Sequence, residues 1–240
     1  MPIISTTMTM ITIITVTTII TTTITTIEAV MPVDIDGWVR DPAEIYRQSF
    51  STIRAETALD RLPAEMQDVA IRVVHACGMT DLVADLAFSD GAATAGTLAL
   101  AGGAPILVDA EMVAHGIIRR RLPRSNLVLC TLNDPAIAAQ AQDFGTTRSA
   151  RAVDQWRPHL GGAVVAIGNA PTALFRLLQL VRDGAPAPAL VLGFAVGFVG
   201  AAESKEALIA SGLPFIAVRG RRGGSAMAAA AVNALAGGLE

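Results

Sequence analysis

Lysine is almost missing from this chain: Lys205 is the single lysine among 18 lysine and arginine residues. A GC-rich genome produces such a bias by itself, and that is its main cause; the arginines it leaves are nonetheless good forks for carboxylates. Aromatics are also scarce, at 4%, which speaks against an all-β sandwich and for layers packed with Ala, Val, Leu and Ile. The net charge of -3 excludes a general nucleic-acid binder. Two cysteines, Cys77 and Cys130, stand far apart with no C-x-x-C spacing, so neither a disulfide framework nor a zinc site is expected. Reduced thiols in apolar runs fit a cytoplasmic protein. Missing too are G-x-G-x-x-G after the first strand, G-x-x-x-x-G-K-[ST], G-x-S-x-G and H-E-x-x-H. These absences remove support for the usual dinucleotide, ATP, S-adenosylmethionine, α/β-hydrolase and zinc-protease sites. With His75, His115 and His159 at no ligand spacing, no metal and no cofactor are expected.

What is present is 52% hydrophobic residues in 240, ample for one sizeable core. The first stretch is unusual: "MTMITIITVTTIITTTITTI" (8–27) is almost pure Thr, Ile, Met and Val. Its length would span a bilayer, but its hydroxyls weaken the apolar signal and no basic residue precedes it. We read residues 1–30 as a low-complexity extension outside the fold, with a membrane anchor as the second reading, and residues 31–240 as the domain.

The domain opens with "DPAEIYRQSF", in which Asp41 is a good N-cap, Pro42 suits the first helical position and Glu44 completes a capping box. Ile45, Ser49 and Ile53 then share a face, so Ser49 interrupts an apolar stripe; it either bonds back to the preceding turn or faces a ligand. A second helix starts near Pro63, with Met66, Ala70, Val73, Val74 and Cys77 as its buried stripe and Gly78 as its stop. His75 lies in its last turn, beside that stripe. Two roles stay open for it on spacing alone, a stabiliser of the helix end or a proton donor.

Beyond this helix, "APILVDA", "NLVLCTL", "GAVVAIG", "PALVLGF" and "PFIAVRG" are short, nearly continuous apolar runs, each followed by a helical segment. That rhythm predicts an α/β fold, a doubly wound, mostly parallel sheet with helices on both faces in a single domain. Ligands in such sheets bind at the carboxyl ends of the strands. The loops there carry Asp109, "GNAPT" and "RGRRGG". Asn169 is expected to cap a helix whose bare amides aim outward, and Lys205, Arg219, Arg221 and Arg222 lie close in sequence. Together these suit a large, multiply anionic small molecule.

The segments "RVVHACG", "GAPILVDAEMVAHGI", "TTRSA", "VVAIGNAPTALF", "GFVGAAESK" and "RGRRGGSAMAAAA" resemble precorrin-8X methylmutases of cobalamin biosynthesis, in order, from about Val39 to Ala236. The resemblance implies an isomerase that moves a methyl group from C-11 to C-12 of precorrin-8X, giving hydrogenobyrinic acid without metal, methyl donor or nucleotide. It implies that His75 is the catalytic acid, that Ser49 and Arg148 contact substrate, and that Asn169 and Lys205 line the site. It also implies a cytoplasmic homodimer with sites near the subunit interface, with no nucleic acid and no membrane as partner. The competing readings are a cobalt-precorrin-8 methylmutase of the anaerobic branch and a non-catalytic tetrapyrrole carrier. His115, just before Gly116, is expected to end a helix.

Overall fold

A computed structural model describes residues 36–237; the 1–30 extension read from the sequence lies outside them. Contacts divide the chain into two units, Met1–Ile45 and Tyr46–Glu240. In the described part of the first, Asp41 Oδ1 accepts from the Ala43 amide at 3.0 Å, the expected cap on the helix that opens at Pro42.

The sheet and its helices lie within the second unit. After helix α1 (Pro42–Glu56) and helix α2 (Ala64–Cys77), the chain alternates strands and helices. In order these are β1 (Leu86–Phe88), α3 (Ala92–Ala101), β2 (Ile106–Val108), α4 (Glu111–Gly116), β3 (Val128–Cys130), α5 (Pro135–Asp143) and α6 (Arg148–Asp154). There follow β4 (Val164–Ile167), α7 (Pro171–Arg182), β5 (Leu190–Gly193), α8 (Ala201–Ile209), β6 (Phe215–Val218) and α9 (Ser225–Gly237). The strand order is β1-β6-β5-β4-β2-β3. All five apolar runs form strands, β2 to β6, and every pairing among them is parallel. The sixth strand, β1, was not expected: it joins β6 antiparallel, with Leu86 opposite Val218. The sheet is therefore mixed, mostly parallel, with helices around it.

Both faces are covered, which is why the strands read as continuous apolar runs rather than alternating ones. Val108, Val164, Ala166, Leu190, Leu192 and Ile216 point into a core completed by α2, α3, α4 and α9. Their neighbours Leu107, Val165, Ile167, Val191 and Ala217 point into a second core, against α6, α7 and α8.

Helix α2 buries two sides rather than the single stripe expected. Met66, Val69 and Val73 join the first sheet core, while Ala70, Ile71 and Val74 pack with Phe50 and Ile53 of α1 in a core of their own. Gly78 then ends the helix in the left-handed conformation (φ 69°), its amide donating to the Val74 carbonyl at 2.8 Å. A residue with a Cβ would be strained at that φ.

Candidate active site

His75 sits one turn before Gly78, exposed, with two aromatic rings beside it. Tyr46 and Phe50 of α1 lie 5.5 and 5.4 Å away, centroid to centroid. The interruption in the α1 stripe has its explanation here: Ser49 Oγ is 2.7 Å from His75 Nδ1. Ser49 bonds across to the neighbouring helix, not back to its own preceding turn. Nε2 carries no hydrogen bond among the described residues.

The electrostatics correct one expectation. A position in the last turn of a helix should favour imidazolium, yet His75 is held below the ordinary histidine value. Partial burial, by the rings that shed water from its faces, is the larger cause, and the nearby Arg72 guanidinium adds to it. Arg72 is itself mostly buried, its guanidinium 5.8 Å from the Phe50 ring centroid. One buried positive charge and lost water outweigh the partial charge of a helix end.

At the carboxyl edge of the sheet, the three other expected residues fare differently. Asn169 is exposed, but it is not the cap: Ala170 holds the N-cap position, with Pro171 at the first helical one. Nor are the amides of this loop bare. Asp109, 2% exposed at the end of β2, accepts from the amides of Gly168 (2.9 Å), Asn169 (3.0 Å) and Ala170 (2.7 Å). The expected anion site is thus filled by the chain's own carboxylate. Burial pushes the Asp109 carboxyl up from its usual range, and the three amide bonds pull it back. Asp109→Asn puts an amide donor among three donors and is expected to cost about 3 kcal/mol, the scale of buried groups left unpaired. For a chain of this size that is a fall of about 10 °C in melting temperature, which calorimetry would read.

Lys205 departs further from expectation. It is 0% exposed, with Nζ donating to the Arg222 carbonyl at 2.6 Å, so it has no surface with which to touch a ligand. Arg219 pairs with Glu206, and Arg222 with Asp81 and Asp85, which leaves Arg221, its guanidinium 5.4 Å from the exposed Phe198 ring centroid, as the arginine of this loop without an acidic partner among the described residues.

Arg148 opens α6 and is exposed. Its Nη2 donates to the Leu132 carbonyl (3.3 Å) and Asn133 Oδ1 (3.1 Å), both uncharged oxygens just beyond β3. Neither of these bonds reaches His75. The loop it touches follows β3, whereas the His75 helix leads through the 3-10 turn Thr80–Asp85 into β1, at the opposite edge of the sheet. Five strand spacings, about 24 Å, separate those edges.

Sequence reading included the loop after β5, in "GFVGAAESK", but singled out none of its apolar residues. There Phe198 and Val199 are 85% and 88% exposed, and Met112 of α4 is also well exposed. A run of apolar residues between glycines was the available signal. The remaining candidates are quiet. His115 ends α4, its Nδ1 2.8 Å from the Glu111 carbonyl oxygen, as expected. Cys77 and Cys130 are free and half-buried, and burial raises both thiols, Cys130 to about 11, so neither is an activated nucleophile. Among the described residues no three His, Cys, Asp or Glu side chains cluster as metal ligands, and no helix is long and apolar enough to cross a membrane.

The geometry can be set beside known proteins. The family model for precorrin-8X methylmutase matches residues 44–237. A precorrin-8X methylmutase of Pseudomonas aeruginosa is 63% identical over 201 residues, covering 83% of this chain and 97% of the relative. One from a Sinorhizobium species is 56% identical, covering 83% and 96%. A crystal structure of precorrin-8X methylmutase from Thermus thermophilus superposes with a TM-score of 0.75 at 40% identity, over 81% of this chain and 94% of that one. Similarity to the family model, to these relatives and to the solved structure extends along nearly the whole described chain: this chain belongs to the precorrin-8X methylmutase family.

Proposed function

We propose that this isomerase of cobalamin biosynthesis converts precorrin-8X to hydrogenobyrinic acid, moving a methyl group from C-11 to C-12, with His75 as general acid. The observation that carries the reading is the 2.7 Å bond between Ser49 Oγ and His75 Nδ1, which leaves Nε2 free on the exposed side. In the imidazolium, Nδ1–H donates to Ser49 and Nε2–H is offered to a macrocycle nitrogen. Proton transfer draws electron density through the conjugated ring and lowers the barrier to methyl migration. The methyl group moves with its bonding pair, the proton returns to Nε2, and substrate and product remain isomers. The Nδ1 proton stays on the ring throughout, donated to Ser49 Oγ. Arg148 clamps a side-chain carboxylate, and Asn169 adds a polar contact at the neighbouring loop.

The depressed value of His75 gives the reading a pH signature. An acid must be protonated to act, so kcat/KM should fall as pH rises through the free enzyme's His75 value, which burial and Arg72 hold below that of an ordinary histidine. Substrate carboxylates near the ring favour imidazolium, so the corresponding limb of kcat should lie at higher pH. A pH profile flat from 5 to 8 would remove His75 as the acid.

Metal-free precorrin-8X is favoured over its cobalt form by one observation. The two relatives named for precorrin-8X are 63% and 56% identical, and those named for cobalt-precorrin-8 are 32–40% identical. The separation of Arg148 from the His75 end of the sheet supports a homodimer in which two copies complete each site, and exposed Phe198, Val199 and Met112 give such an interface apolar surface. We also take residues 31–240 as the working domain and the cytoplasm, with its reduced thiols, as the compartment. Incubating the protein with precorrin-8X and with its cobalt form tests the whole: the absorption spectrum should turn to that of hydrogenobyrinate with the metal-free substrate. Binding of hydrogenobyrinic acid with no turnover of either substrate would leave a carrier.

A further inference from the structure

Between the end of the His75 helix and the last strand runs a set of contacts that proton transfer does not itself use. The only lysine of the chain is at its centre. Lys205, on α8, is fully buried, and Nζ donates to the carbonyl of Arg222 at 2.6 Å. A buried ammonium is costly, and burial lowers this one to about 8 against the pull of Asp85 and Glu206. A methionine would fill similar space without that cost.

The residue whose carbonyl Lys205 holds turns its side chain the other way. Arg222 Nη1 meets Asp81 Oδ2 at 2.7 Å, and Nη2 meets Asp85. Both carboxylates belong to the 3-10 turn Thr80–Asp85, two residues past the end of α2. The Arg219 amide donates to the Asp85 carbonyl at 2.8 Å, and the Arg219 side chain pairs with Glu206, next to Lys205. On the third side, Gly224 N donates to the Phe194 carbonyl at 2.8 Å, and Gly223 lies so close to the Phe194 and Ala195 carbonyls that a Cβ would collide with backbone. Segment 219–224 is therefore fastened from beneath by α8, from the side by the loop after β5, and across to the turn that follows the acid's helix. The charges that act on Lys205 are those of Asp85 and Glu206.

We propose that Lys205 and Arg222 are positioning residues for the methyl migration: one buried bond and two ion pairs fix the loop after β6 against the turn that ends the His75 helix. This rests on the methylmutase reading with His75 as acid. Neither residue needs to touch the macrocycle. Their task is to hold the loop and the acid in register when substrate enters, where a misplacement of about 1 Å costs about a hundredfold in rate.

The experiment compares the full-length chain with Lys205→Met, Arg222→Gln and Arg222→Lys, measuring kcat and KM for precorrin-8X, affinity for hydrogenobyrinic acid, and amide exchange. Lys205→Met and Arg222→Gln should lower kcat by about tenfold to a hundredfold. Product affinity should stay within about threefold, because no ligand contact is lost. Exchange should quicken in residues 79–85 and 219–224 together, and Arg222→Lys should recover part of the rate. Faster exchange with unchanged kcat would reduce the brace to a structural feature, and a weakened product affinity with intact kcat would make these residues ligands; either overturns the proposal. If Lys205→Met does not fold, Arg222→Gln decides, since that side chain is one-third exposed. A wild-type chain that leaves precorrin-8X unchanged defeats the methylmutase reading and this role with it, while the exchange data still report whether the brace exists.

Discussion

Replacing His75 with alanine is expected to lower kcat by about 10²–10⁴-fold, the usual worth of a positioned general acid, while the protein stays folded. The imidazole rim is exposed, so its removal opens little cavity; what is lost within the protein is the Ser49 bond and contact with two rings. Ser49→Ala should be milder, about tenfold, because it frees the ring to rotate and leaves the proton donor in place. The alternative is that His75 only stabilises the end of α2. It makes the opposite forecast, a lower melting temperature with kcat intact. Turnover and melting curves for both variants separate the two, and near wild-type turnover by His75→Ala would sink the acid.

The second large effect concerns Arg148. If it holds a substrate carboxylate, Arg148→Lys should weaken binding of hydrogenobyrinic acid by about 1–3 kcal/mol despite keeping the charge, or about 5- to 150-fold in Kd. Its guanidinium rests on the Leu132 carbonyl and Asn133 Oδ1 and on no carboxylate among the described residues, so its charge is not spent within the chain. Arg148→Ala should lose at least as much. Amidating the product's carboxylates should shrink the difference between wild type and mutant. Were bracing the Leu132–Asn133 loop its whole task, the melting temperature would drop while the folded protein's affinity held. Titration alongside a melting curve distinguishes these, and unchanged affinity removes Arg148 from the site.

How far the sequence could be read depended on whether a residue's partner was near it in the chain. The five strands β2 to β6 were legible because burial on two faces leaves a continuous apolar signature. β1 was not: Leu86–Phe88 is three half-buried residues, too short for any period to show, and only its pairing with β6 makes it a strand. Asp109 showed its position at a strand end, but the three amides it holds lie 59 to 61 residues away and cannot be foreseen. Ile71 fell off the assumed stripe because α2 has a second buried side, supplied by α1. Lys205 misled for a plainer reason. A lone lysine in a polar loop neighbourhood is nearly always on the surface, and nothing in its neighbours signals a carbonyl waiting underneath. The partner of His75 was equally out of local reach: Ser49 lies 26 residues earlier in the chain.

Helix α1 has a thermodynamic consequence for the enzyme's working cycle. It buries two residues, Phe50 and Ile53, whereas α9 buries nine. Segments with so little buried apolar area open independently of the rest, at a fraction of the global unfolding free energy. Yet this helix supplies Ser49, which is hydrogen-bonded to His75, and Tyr46 and Phe50, whose rings lie beside it. With His75 as the proposed acid, its competent form is then one member of a local docking equilibrium. A tetrapyrrole that touches α1 and α2 together binds the docked member better and shifts the population toward it. Part of its binding energy is then drawn into ordering α1, and the rate per bound substrate gains what the affinity gives up.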